Sequence, residues 1–525
     1  MATDRTRGKL PIGIQNFRRL RERGCYYVDK TPLIRALIDQ GDYYFLSRPR
    51  RFGKSLLVDT LQELFAGSEE LFRGLGIHEN WDWSVQHPVV RLSFDGKYNQ
   101  PEDVEHSVLN QLALIEHGAG IDPARTADGG SERLQNLLYH LHHSTGREVV
   151  VLVDEYDKPI LDVLDDPDLA RANRDWLRGF YGIIKGSARH VRFVLVTGVS
   201  RFSKVSLFSG LNNLEDISLD STFATICGYT DNDLDTVFAP ELPGLDRDEI
   251  RKWYNGYHWR GGEKLYNPFD VLLLFRNREF RSWWFETGSP TFLFRLLTDR
   301  GVSPMELENR LTDATRLSRF DVDDMDLWAV LFQTGYLTIA GEERIGVEDF
   351  YTLDYPNLEV RQSFSKGLLT YLGQEGERVS EDGRALIGLL ADNDFDGFAD
   401  RLRSFVAGIP HQWYDQGNLD RYEAHYLSVL YAYFRSVGVD LRVEDSSSRG
   451  RADMVVFHGE QVFVLEFKMA EQAGEAGRIL DGAMEQMRER GYGEQYRSRG
   501  GPVHLVGAVF GKRERGLLEL RAERI

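Results

Sequence analysis

The chain has 525 residues, of which 42% are hydrophobic and 28% charged, and a formal net charge of −18. That length exceeds one ordinary core and implies two or three domains, while the acidity argues against a protein that coats nucleic acid unselectively. Two cysteines, Cys25 and Cys227, are too few for a disulfide framework or a cysteine metal site. No apolar run of membrane-spanning length occurs, and the opening MATDRTRGKL lacks the apolar core of a secretory signal, so a cytoplasmic protein without a membrane partner is expected.

The charge is uneven. Residues 1–60 hold 13 Lys and Arg against 6 Asp and Glu, residues 421–525 hold 16 of each, and the middle is strongly acidic. In chain order, residues 10–67 read as loop, helix (TPLIRALIDQ), strand (YYFLS), turn (RPRRFG) and helix (KSLLVDTLQELF). Leu56, Leu57, Leu61, Leu64 and Phe65 give the last helix its apolar stripe. PVVRLSF (88–94), EVVVLV (148–153) and VRFVLVT (191–197) read as strands, and strands alternating with helices imply a parallel α/β sheet. Segment 115–132, rich in Gly, Asp and Ala, reads as a loop. Residues 231–415 read as a helical lid or linker with aromatic clusters at WYNGYHW (253–259) and SWWFETG (282–288). A second α/β unit is expected over 416–525, with the helix YEAHYLSVLYAYFRSV, strands near 439–444, 453–457, 462–467 and 503–510, and a helix at about 476–490. The expected division is therefore 1–230, 231–415 and 416–525.

Arg50-Arg51-Phe52-Gly53-Lys54-Ser55-Leu56 follows a strand and opens a helix, the setting in which backbone N–H groups and a helix N-terminus face phosphates. Lys54 would reach the terminal phosphates of ATP and Ser55 would offer a hydroxyl to Mg²⁺. Arg48 stands where the general motif has its first glycine, with Pro49 available to shape the turn. The apolar run Val149–Val153 delivers Asp154 and Glu155 at its end. Asp154 can hold Mg²⁺ through water and Glu155 can orient the attacking water, with Asp157 next in line. Together these features imply nucleotide binding.

The stretches LPIGIQNFRRL, YYVDKTPLI, RPRRFGKSLL, VVLVDEYDKPI, TGVSRFSKVSLFSGLNNL, KWYNGYHW and LYNPFDVL resemble the AAA-ATPase-like proteins of bacteria and archaea. Many of that family carry a C-terminal PD-(D/E)XK nuclease domain, and in it the RPRRFGKS form is usual. The resemblance implies a sensor role for Thr197, otherwise a strand cap. It implies nucleotide reading or contact with a neighbouring subunit for Arg201, Lys204, Asn212 and Asn213, otherwise loop stabilisers; a homo-oligomer stays open. Asp29 and Lys30 are candidates to hold adenine. Trp253, Tyr254, Tyr257 and Trp259 read as packing residues.

A PD-(D/E)XK site needs a carboxylate on one strand and acid-X-Lys on the next, often with a Glu from a preceding helix. Two acids hold a divalent metal that lowers the pKa of bound water, and the lysine positions that water. Glu423, Asp453, Glu466 and Lys468 fit this set, with Mg²⁺ or Mn²⁺ as the ion. Glu466 and Lys468, two apart, share one strand face; an exposed ion-bearing strand is the plain alternative. The pattern YEAHY…GRADMVVF…VFVLEFK…AMEQMRERGY also resembles this family's restriction-endonuclease-like domain, although Ala452 replaces the proline. It implies Gln486 near the site and Arg449 and Arg451 on backbone phosphates of nucleic acid, DNA in the leading reading. His140, His142 and His143 read as a solvated face and His504 as a core residue. The expected whole is an ATP-binding and ATP-hydrolysing protein that regulates a metal-dependent nuclease, in the setting of defence against foreign DNA or of mobile elements. The alternatives are an ATPase switch whose C-terminal domain binds nucleic acid or protein without cutting, and a nucleotide-binding scaffold with slow turnover.

Overall fold

The computed structural model describes residues 7–122, 128–201, 207, 211, 213–284, 291–317, 321–373, 376–407, 419–447 and 450–525. The chain forms two compact units, Met1–Trp284 with Asn309–Asn357, and Phe285–Glu308 with Leu358–Ile525. The stretch 231–415 is thus shared between them. It is largely helical, and it also contributes a three-stranded antiparallel sheet from Arg310–Asp313, Thr338–Ile345 and Glu348–Asp354.

In the first unit, β1 (Tyr43–Ser47), β2 (Val89–Ser93), β3 (Val149–Asp154), β4 (Val191–Gly198) and β5 (Glu215–Asp216) form a parallel sheet in the order β2-β3-β4-β1-β5. Every residue of β3 is buried, as a strand covered on both faces requires. Among the helices, α1 (Phe17–Glu22), α2 (Thr31–Gln40), α3 (Lys54–Phe65), α4 (Asp103–Gly118) and α5 (Gly130–Thr145) precede β3. The turn after β1 leads straight into α3, whose Leu57, Leu61, Leu64 and Phe65 are buried while Leu56 is half-buried. The expected loop 115–132 is shorter than its composition suggests. Helix α4 continues to Gly118 and α5 begins at Gly130, because Val108 and Leu112 of α4 and Leu134, Leu137 and Leu138 of α5 repeat at helical spacing and are all buried.

Because β4 lies between β1 and β3, with Val153 paired to Val196, the ends of β1, β2, β3 and β4 align along one edge. Ser93 pairs with Asp154, Leu46 with Thr197 and Ser47 with Gly198. In open α/β sheets this C-terminal edge is where ligands bind. A further helix, α6 (Pro268–Asn277), starts at the N-cap Asn267, which accepts the N–H of Phe269.

In the second unit, α7 (Leu419–Ser436) precedes a mixed sheet of β9 (Asp440–Ser447), β10 (Gly450–His458), β11 (Gln461–Ala470), β12 (Val503–Gly511) and β13 (Gly516–Arg524), with α8 (Ala476–Arg490) between β11 and β12. The remaining strands β6 to β8 are the three of the small sheet named above. The order is β13-β12-β11-β10-β9, parallel only between β11 and β12. Helix α8 packs Leu480, Met484 and Met487 against Val455, Val462, Val464 and Leu505. Gly507 of β12 makes this approach feasible, since a Cβ there would lie 2.8 Å from Leu480 Cδ1 and 2.9 Å from Met484 Sδ. On the other face, Tyr426 of α7 stacks on Phe510 at 4.6 Å between ring centroids. No helix of the described residues is long and apolar enough to cross a membrane.

Candidate functional sites

The loop between β1 and α3 is held from beneath. Arg48 is 1% exposed. Its guanidinium donates to the carbonyls of Ser47 and Ser218 at 2.8 and 2.9 Å, and to those of Phe223 and Ala224 at 3.4 Å. It also lies 4.3 Å from the ring centroid of Trp259. Burial lowers its pKa to about 10. The arginine that replaces the expected glycine is therefore a brace rather than a phosphate ligand. Phe52, also buried, packs edge-on against Tyr257 and Trp259 at 4.8 and 5.1 Å, which gives the aromatic cluster its packing role.

The loop turns over through two left-handed residues, Arg51 at φ 71° and Gly53 at φ 96°. Gly53 adopts such a φ at little cost and caps α3, whereas Arg51 holds it against the preference of a side-chain-bearing residue. Arg50 and Arg51 are exposed, and the Arg51 guanidinium stacks on Phe269 of α6. Lys54 is buried and donates to the carbonyls of Arg48 and Pro49 at 2.9 and 3.0 Å, while burial lowers its pKa. Its ammonium thus rests on neutral loop carbonyls.

Opposite the loop, Thr197 Oγ1 donates to Asp154 Oδ1 at 2.7 Å, so the β4 hydroxyl orients the β3 carboxylate. Glu155 follows in a left-handed conformation at φ 53°. Its pKa is raised by burial first and by neighbouring Asp154 second. Ser55, Asp154 and Glu155 form one wall of a polar cavity of about 260 Å³, and Gln15, Arg91 and Gln111 line it too. Those last three come from segments the sequence reading did not connect with the site.

Several expected contributors are engaged elsewhere. Asp157 accepts the N–H groups of Val199 and Ser200 at 3.0 and 2.5 Å and the Ser200 hydroxyl at 2.5 Å, so its carboxylate fastens the turn after β4 instead of facing a water. Asp29 accepts from Thr31 and from the Gly76 N–H, and Lys30 pairs with Asp233 at 2.9 Å; both fix the start of α2 rather than a base. Arg201 pairs with Asp216 of β5. Asn213 is exposed, and Lys204 and Asn212 lie outside the described residues. His140 and His143 are exposed, but His142 is half-buried, with its Nδ1 2.8 Å from Nδ1 of His190, a departure from a purely solvated face. Among the described residues no three His, Cys, Asp or Glu side chains are grouped to hold a metal ion.

In the second unit, β10 and β11 pair Met454 with Leu465 and Val455 with Val464. Continuing that register sets Asp453 across from Glu466, on the sheet face covered by α8. Asp453 Oδ2 accepts the Phe467 N–H at 2.8 Å. Glu466 is 2% exposed, and its Oε1 accepts Lys468 Nζ at 2.9 Å and Gln486 Nε2 at 2.8 Å. Four expected residues thus share one locality. Tyr492, which the sequence reading missed, joins them: its hydroxyl accepts from Gln486 Nε2 at 3.2 Å and from Arg490 at 3.1 Å. Glu423 belongs to α7 and Arg451 to β10, but their side chains lie outside the described set, as does Arg449 altogether. His504 is buried and stacks on Phe463 at 5.1 Å.

The profile of a family described as "Predicted AAA-ATPase" matches residues 11–208, and that of the "PD-(D/E)XK nuclease superfamily" matches residues 421–519. A protein of Azotobacter chroococcum mcd 1, "Uncharacterized protein in vnfD 5'region", is 51% identical over 516 residues, which is 98% of each chain. No solved structure matches. With the aligned strand ends, the glycine-lysine loop and the acid-bearing mixed sheet, these similarities identify the chain as a member of the AAA-ATPase-like family carrying a C-terminal PD-(D/E)XK nuclease superfamily domain.

Proposed function

We propose that the N-terminal domain binds and hydrolyses ATP and that its nucleotide state regulates metal-dependent cleavage of nucleic-acid phosphodiesters by the C-terminal domain. One observation carries the first half. A buried lysine hydrogen-bonded to two loop carbonyls, and to no other group among the described residues, lies in a glycine-turned loop beside a carboxylate oriented by Thr197, an arrangement completed by a phosphate chain. In this reading Arg50, Arg51, Phe52, Gly53, Lys54, Ser55 and Leu56 form the phosphate loop, and Thr197 positions Asp154. Ser55 and Asp154 fit Mg²⁺, since a hydroxyl and a carboxylate line one polar cavity; when bound, the ion neutralises phosphate charge. Glu155 accepts the proton of the attacking water. Arg201 would have to leave Asp216 to reach nucleotide or a second subunit.

For the C-terminal site, Asp453 and Glu466 supply two carboxylates for Mg²⁺ or Mn²⁺, with Glu423 as the third candidate; Lys468 stabilises charge or positions the water, and Gln486 contacts phosphate or that water. The ion would supply an activated water there. DNA is the preferred substrate class and defence against foreign DNA the preferred setting, with 1–230, 231–415 and 416–525 as the functional divisions. A second reading, an ATPase switch whose C-terminal domain binds without cutting, is favoured by the bonds that Lys468 and Gln486 already make to Glu466 Oε1. The test is the full chain incubated with labelled ATP, DNA or RNA, and Mg²⁺ or Mn²⁺. Turnover with metal-dependent cleavage that ATP modulates supports the proposal. Turnover without cleavage moves the balance to the second reading, and a chain that neither binds nor hydrolyses ATP overturns the first half.

A further inference from the structure

The cavity beside Ser55 and Glu155 has a wall built from outside the phosphate loop. Two of its polar side chains are already committed. Gln111 of α4 receives the Ser93 N–H at 2.7 Å and returns a bond to the Ser93 carbonyl at 3.0 Å, so its amide seals the open edge of β2 as a further strand would. Arg91 donates to Asp59 at 2.5 Å and to Gln62 at 3.2 Å. Gln15 and Asp95 are different: both are exposed at the cavity, and neither side chain bonds to a described residue. Of the two, only the Gln15 amide can both accept from a water and donate to a phosphate oxygen.

The backbone that carries Gln15 is fixed nevertheless. Asn16, the N-cap of α1, accepts the Arg19 N–H at 2.8 Å and donates to Asp59 at 3.2 Å. The Phe17 N–H donates to the same carboxylate at 2.6 Å, and the Phe17 ring is fully buried against Phe72 and Tyr27. Asp59 is itself buried on α3, the helix that begins with Lys54 and Ser55. One carboxylate therefore anchors the segment before α1 directly to the phosphate-loop helix, leaving the preceding side chain at the cavity.

We propose that Gln15 positions the water that attacks ATP, which makes the N-terminal segment part of the hydrolytic site. This rests on the ATPase reading above. A glutamine amide can accept from a water and donate to a phosphate oxygen at once, and an orienting glutamine is a known solution for attacking water in phosphoryl transfer. In the step, the water oxygen bonds to the γ-phosphorus as the bond to the β,γ-bridging oxygen breaks. ADP leaves with that electron pair, and the water proton passes to Glu155. Gln15 holds the oxygen in line and takes no proton.

The experiment compares wild type, Gln15→Ala and Gln15→Glu in the full chain, measuring kcat and KM for ATP, ADP affinity and thermal unfolding. The expected result is a kcat lowered roughly 10- to 100-fold in Gln15→Ala, the size set by losing one orienting contact, with ADP affinity and melting temperature unchanged. Gln15→Glu should be at least as slow, because a carboxylate cannot donate to the phosphate. A Gln15→Ala kcat equal to wild type overturns the inference while leaving the ATPase reading intact. Parallel losses of kcat, ADP affinity and melting temperature also overturn it, since they indicate a structural role. A wild-type chain without ATP turnover fails the ATPase reading itself and is told apart by that control.

Discussion

The two sites differ in how each lysine is kept before a ligand arrives. Lys54 rests on the carbonyls of Arg48 and Pro49, whereas Lys468 is bonded to Glu466. The first arrangement leaves the ammonium bonded to no carboxylate among the described residues, with Asp154, Asp157 and Glu155 supporting its charge only through space. The second is already neutralised, so a cation entering between Asp453 and Glu466 must displace or share the lysine's hold. The difference suggests a loop poised for polyphosphate and an acidic pair whose metal affinity is held in check. Charge-assisted contacts to buried groups are the strong ones, so removing either lysine should act in opposite directions on ligand affinity.

The comparison breaks most visibly at the catalytic acids. Glu466→Ala should abolish cleavage while leaving ATP turnover in place, as read by paired nuclease and phosphate-release assays. Glu155→Gln should slow hydrolysis by about 10²- to 10⁴-fold, the usual worth of a general base, while retaining ATP, as equilibrium binding would register. Lys54→Ala comes next. Losing two charge-assisted bonds of roughly 1.5 kcal/mol each weakens ATP binding about 100-fold, measurable by fluorescent-nucleotide titration. Lys468→Ala, by contrast, should keep or raise Mn²⁺ affinity by calorimetry and still lose most of the cleavage rate.

The pH profile sharpens the contrast further. Burial and Asp154 raise the Glu155 pKa, so kcat/KM for ATP should fall on the acid side at a pH above the ordinary carboxylate range, as Glu155 takes up its proton. Burial lowers the Lys54 pKa, so the alkaline limb should begin below the ordinary lysine range as the ammonium loses charge. Glu155→Gln should erase the acid limb. The smallest effect expected is Gly507→Ala, where the added methyl presses on Leu480 and Met484. It should cost about 1–3 kcal/mol, read as a lower melting temperature of the second unit.

What was legible in the sequence follows the same division. Helix α3 and strands β1 and β3 could be read because their apolar runs are continuous and the glycine-lysine turn punctuates them. Glu466, Lys468 and Gln486 could be read because spacing within one strand, and a resemblance for the helix, placed them together. The far wall of the nucleotide cavity could not. Gln15, Arg91 and Gln111 are ordinary polar residues in three separate segments, and only the sheet order gathers them. Asp29 and Lys30 misled for the opposite reason: nearness in sequence to the loop hid that Lys30 answers Asp233, some 203 residues away. Strand β13 was missed because it is an edge strand, with Leu517 its one buried residue and charged side chains along its length, which blurs the apolar alternation.

The most direct test of two separate sites on one chain is a single reaction that follows both. ATP turnover and DNA cleavage are measured together, with Mg²⁺, in wild type, Lys54→Ala and Glu466→Ala. Glu466→Ala should turn over ATP without cutting, and Lys54→Ala should lose turnover together with whatever dependence of cleavage on ATP the wild type has. Cleavage that persists undiminished in Glu466→Ala, or ATP turnover that survives in Lys54→Ala, would contradict the two-site reading.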